Sequence, residues 1–76
     1  MGALENIDAK LKHLRAIEAT YKQEVRWADA DIKRDPENRR KYERTKAKSE
    51  KKMTKVMRKI HIMVLKRERV KARLKE

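Results

Sequence analysis

One proline and one glycine are all that punctuate the 76 residues of this chain. Gly2 stands at the start and Pro36 near the middle, so Pro36 alone can strongly interrupt a helix. Turn formers this scarce make a β-sheet or a loop-rich fold very hard to build. The expected fold is therefore all-α, one domain spanning 1–76, with a single reversal at Arg34-Asp35-Pro36-Glu37.

The apolar residues before that reversal, Leu4, Ile7, Leu11, Leu14, Tyr21, Val25, Ala28 and Ile32, recur in steps of three and four. They form a heptad-type seam broken once by Glu18. A first helix over about 3–33, roughly 46 Å long, follows from 1.5 Å per residue. Its early Glu5 and Asp8 and late Lys33 and Arg34 suit the helix dipole. The turn falls at 34–36, with Asp35 as a candidate N-cap and Pro36 at the first helical position. Beyond it the seam runs Tyr42, Lys46, Ser49, Met53, Val56, Ile60, Met63, Arg67, Val70, Leu74, which predicts a second helix over about 36–75.

A turn this short makes the helices an antiparallel, coiled-coil-like hairpin. Folding the chain about Asp35 pairs residues whose numbers total about 69 or 70. Leu14 would meet Val56, Leu11 Ile60, and Ile7 Met63 or Ile62, while Trp27 and Tyr42 would close as an aromatic clamp near the turn. His61 would then lie level with residue 8, more than a turn from His13, and the second helix would overhang the first from Arg69 by about two turns.

Charge divides the chain unevenly. Residues 1–33 hold six acids and six bases, whereas residues 34–76 hold eighteen bases against six acids and so carry the whole net charge of +12. On a 100° helical wheel, Arg40, Arg44, Lys51, Lys55, Arg58, Arg69 and Arg73 line up opposite the second seam. A long exposed helix needs some charge for solvation alone. Acids this few cannot neutralise the ladder, and a row of cations along a rod suits a polyanion backbone.

Ile62 and Leu65 interrupt the ladder, and with Ile17, Met57 and Val64 they leave surplus apolar surface toward the open end. A chain this small builds a marginal core. A homodimer docking through those five residues into a four-helix bundle is the expected remedy.

Several chemistries are not expected. The chain has no cysteine, and two lone histidines do not make a metal site. No phosphate-binding glycine loop and no Ser/His/Asp arrangement occurs, so neither an enzyme nor a resident cofactor or small-molecule substrate is anticipated. The longest apolar run, Ile62-Met63-Val64-Leu65, is far below the roughly 20 residues of a membrane span. The start is neither basic nor followed by an apolar stretch, so no signal peptide is expected. A soluble cytoplasmic, nucleoid or nuclear protein follows. The expected partner is nucleic acid, DNA or RNA, gripped mainly by phosphate. The alternative is a protein-interaction module whose basic face docks on an acidic protein surface, with Ile62 and Leu65 at the centre of the contact.

Overall fold

A computed structural model describes residues 2–75, leaving the expected domain limits Met1 and Glu76 outside the described residues. Apart from Gly2 and Asp35 the described chain is helical: α1 spans Ala3–Arg34, a 3₁₀ turn spans Pro36–Asn38, and α2 spans Arg39–Lys75. The two helices pack antiparallel into a rod of 61 × 16 × 13 Å. No described helix is long and apolar enough to cross a membrane.

The corner is built differently from the sequence expectation. Pro36 holds Asp35 outside the helical region, at φ −136° and ψ 72°, and the Asp35 amide donates back to the Asp31 carbonyl at 2.8 Å. The Asp35 side chain caps no backbone amide. Its Oδ2 instead accepts from Asn38 Nδ2 at 2.8 Å and from the Tyr42 hydroxyl at 3.1 Å. Pro36–Asn38 is spent on a 3₁₀ turn, so α2 proper begins at Arg39 rather than at 36, and α1 runs one residue past the expected 33.

Those extra corner residues move the register. Ser49 Oγ donates to Glu24 Oε2 at 2.8 Å, Lys46 Nζ lies 2.8 Å from Asp29 Oδ1, and Arg67 Nε donates to Asp8 Oδ1 at 2.6 Å. Facing residue numbers therefore total 73 for the first pair and 75 for the other two, not 69 or 70. The expected pairings shift by about one helical turn. Leu11 shares a groove with Val64 and Arg67, and Leu14 shares one with Lys59 and Met63. His61 is thereby level with His13, and the overhang of α2 shortens to about one turn.

The seam residues themselves fall where their spacing put them. Leu11, Ala28, Val56 and Ser49 are buried, and most other seam positions are half-buried. Leu74, on the overhang, is 70% exposed. No described side chain is fully buried, so the core is thin from end to end. Trp27 and Tyr42 border one groove near the turn, but they do not close as a buried clamp: Trp27 is 61% exposed and the Tyr42 hydroxyl is turned to Asp35.

Candidate nucleic-acid interface

The polar residues of the second seam explain where the acids of α1 go. Lys46, Ser49 and Arg67 would be costly in an apolar seam, and each meets a carboxylate of α1: Asp29, Glu24 and Asp8 respectively. Hydrogen bonding to Asp29, backed by its charge, raises the Lys46 pKa above the ordinary 10.5, and a second carboxylate, Glu50, lies 3.9 Å away. Glu18, which breaks the first seam, reaches no further than Lys22 on its own helix, at 3.3 Å. Asp31 pairs with Arg34. Five of the six acids of α1 are thus engaged with seam or same-helix partners, and do not shield the outer side of α2.

On that outer side all seven ladder residues, Arg40, Arg44, Lys51, Lys55, Arg58, Arg69 and Arg73, are exposed. Among the described residues none of them enters an ion pair or a side-chain hydrogen bond; the seam and corner cations Lys46, Arg67, Arg34 and Arg39 are the ones of the basic half that do.

A second row of cations adjoins the ladder. Each seam residue of α2 is preceded by a side chain about 100° to one side. Those preceding positions read Lys41, Thr45, Lys48, Lys52, Lys55, Lys59, Ile62, Lys66, Arg69 and Arg73, with no acid among them. The positions that follow each seam residue include Glu43, Glu50 and Glu68, the only acids in Arg39–Lys75. In an antiparallel pair the preceding positions of both helices share one flank of the hairpin, which we call the leading flank, and the following positions share the trailing flank.

The surface grooves bear this out. On the leading flank, Lys10, His13 and Leu14 of α1 share a groove of about 460 Å³ with Lys59, Ile62 and Met63. Nearer the turn, Glu24, Trp27 and Asp31 share another with Thr45, Lys48 and Lys52. The trailing groove is lined by Asp8, Lys12 and Arg15 with Val64, Arg67 and Glu68, and so carries both signs of charge. Lys41, Lys48, Lys52, Lys59 and Lys66 are all exposed and extend the ladder into one continuous acid-free arc. A helical wheel read only on the side directly opposite the seam passes over these five. Their signal is the heptad spacing of lysine immediately before each seam residue.

The five apolar residues expected to form one interface are divided between the flanks. Ile62, 54% exposed, borders the leading groove, and Val64 borders the trailing one. Met57 follows Val56 and lies on the trailing side, 50% exposed, with Leu65, 47% exposed, beyond it on the outer surface. Ile17 precedes Glu18 on the leading side and is half-buried. No group of three or more potential metal ligands occurs among the described residues. Neither a protein-family model, nor a curated protein, nor a solved structure matches the chain.

Proposed function

We propose that this chain is a small, non-enzymatic nucleic-acid-binding protein that grips phosphates with little regard to sequence. The observation that carries the reading is the acid-free arc of α2, where the ladder and the leading-flank lysines stand exposed while five of the six acids of α1 are engaged elsewhere. A row of uncompensated cations along a straight rod matches the regular negative charge of a polynucleotide backbone. The deciding experiment is a binding titration with duplex DNA, RNA and heparin at several salt concentrations. Five or six neutralised phosphates give a log–log slope of about −5 on duplex DNA. Replacing Arg44, Lys51, Lys55 and Arg58 with Gln flattens that slope by roughly one unit for each phosphate no longer neutralised, and weakens all sequences alike. Parent-like binding by that variant reduces the ladder to a solvated face.

A homodimer forming a four-helix bundle belongs to the same proposal. The lack of any fully buried side chain among the described residues supports it, and the trailing flank is the better contact. Its mixed charges let two copies pair about a two-fold axis, whereas two leading flanks repel. Met57, Val64 and Leu65 would sit at that contact, with Ile17 and Ile62 outside it. Sedimentation of Met57→Glu should show a monomer where the parent is a dimer; a parent that stays monomeric at high concentration removes the dimer.

The second reading, an adaptor for an acidic protein surface, is favoured by the groove at Ile62, whose rim of Lys10, His13 and Lys59 contains no carboxylate. Under it, Ile62→Asp abolishes partner binding and nucleic-acid affinity does not exceed that for heparin.

A further inference from the structure

Trp27 is the only tryptophan of the chain, and it is left 61% exposed on a helix of a protein short of buried apolar surface. A ring of this size ordinarily buries about 150–250 Å² when a fold uses it. The hairpin leaves most of it uncovered. Tyr42, the neighbour that could have closed over it, is half-buried and turned to the corner, where its hydroxyl donates to Asp35. Trp27 instead borders the leading-flank groove that also holds Lys48 and Lys52, at the turn end of the acid-free arc.

We infer that Trp27 is a stacking platform for an unpaired base, which makes single-stranded nucleic acid the ligand class of this surface. The inference rests on the nucleic-acid reading and narrows it. An exposed aromatic face beside a track of cations is the combination that holds a single strand: the ring stacks on a base while the cations follow the phosphates. Lys48 and Lys52 stand one turn apart on α2 and continue into the arc, so a strand with one base on Trp27 has its backbone laid along α2. Of the two carboxylates that border the groove, Asp31 is paired with Arg34, while Glu24 accepts only from the neutral Ser49 and keeps its charge, which Lys48 and Lys52 on the same groove outnumber. A duplex gains nothing from Trp27, because its bases are already stacked on each other and present only phosphates to a convex rod.

The test uses the full chain, with oligothymidylate, a DNA duplex of equal length and heparin as probes. Binding is followed by anisotropy of the labelled nucleic acids, by competition for heparin, and by the intrinsic fluorescence of Trp27. Oligothymidylate should quench that fluorescence and heparin, which has no bases, should not. Trp27→Ala should weaken oligothymidylate binding about tenfold, leave the duplex and heparin unchanged, and be largely restored by Trp27→Phe. Exposure of the ring makes Trp27→Ala safe for folding, and circular dichroism verifies it. Parent-like binding of oligothymidylate by Trp27→Ala overturns the stacking inference and leaves phosphate tracking standing. Equal weakening for heparin also overturns it, since the ring then acts without bases. Absence of binding to all three probes at low salt overturns the inference and the nucleic-acid reading together.

Discussion

Ser49 carries more of the hairpin's specificity than its size suggests. It is 4% exposed in a core whose other buried residues are Leu11, Ala28 and Val56, and its hydroxyl satisfies the Glu24 carboxylate. Ser49→Ala leaves that carboxylate half-buried without its partner and should cost about 1–3 kcal/mol. The double change Ser49→Ala with Glu24→Leu should recover most of that cost, read by denaturant melts. Tyr42 and Lys46 give a second residue-scale prediction with a definite sign. The hydrogen bond to Asp35, with burial and the Asp35 charge, raises the Tyr42 pKa above the ordinary 10.0, as Asp29 does for Lys46 above 10.5. In both cases the folded state favours the protonated form. Their contribution is therefore complete below about pH 10 and disappears as pH rises through the raised folded values. Thermal melts should fall on the alkaline side of about pH 10, and Tyr42→Phe should shallow that fall. An unchanged alkaline slope in the variant means Asp35 holds the corner without the phenol.

The seam residues of both helices follow from spacing alone, because a heptad repeat depends on nothing but the intervals between side chains, and the break between the helices follows to within a few residues from Pro36. The register depends on how many residues the corner consumes. That number is hidden in the choice Asp35 makes between capping an amide and binding Asn38 and Tyr42. Lys46, Ser49 and Arg67 look like dilution of the seam until their partners on α1 are known, and then they read as three pins that fix the register. The shift is testable in a chain without native cysteine. A short bifunctional thiol reagent should readily join Asp8→Cys with Arg67→Cys, because the native Arg67 side chain reaches Asp8. It should join Asp8→Cys with His61→Cys far more slowly, since about six residues of helix put those positions some 9 Å further apart along the axis. Preferential cross-linking of the second pair restores the register that folds about Asp35. The core prediction belongs at the same scale: Leu11→Ala should cost about 2–5 kcal/mol, because Leu11 is among the few buried side chains.

At the scale of the molecule, charge acts on folding and on binding with opposite signs. A net charge of +12 on a rod 61 Å long repels itself, and salt screens that repulsion over about 10 Å at 0.1 M. Salt should therefore raise the melting temperature of the free protein while it weakens the grip on nucleic acid. Sidedness is the sharper matter, and two variants of equal charge isolate it. Changing Lys48, Lys52, Lys59 and Lys66 to Gln strips the leading flank; changing Lys12, Arg15, Lys22 and Arg26 to Gln strips the trailing side of α1. Each removes four positive charges from the same total of +12, and all eight side chains are exposed, so the fold should tolerate both sets. The Lys22 pair with Glu18 is a surface contact of little worth. If a strand runs along the acid-free arc, the leading-flank variant leaves up to four phosphates unneutralised, and its salt slope on single-stranded DNA flattens by roughly 3 units at about 0.7 per phosphate. The trailing variant keeps every cation of the arc and forfeits only long-range attraction, so its slope stays within about one unit of the parent. Equal weakening in the two variants would show that binding follows net charge alone, and the division of α2 into an acid-free side and an acidic side would then have no part in it.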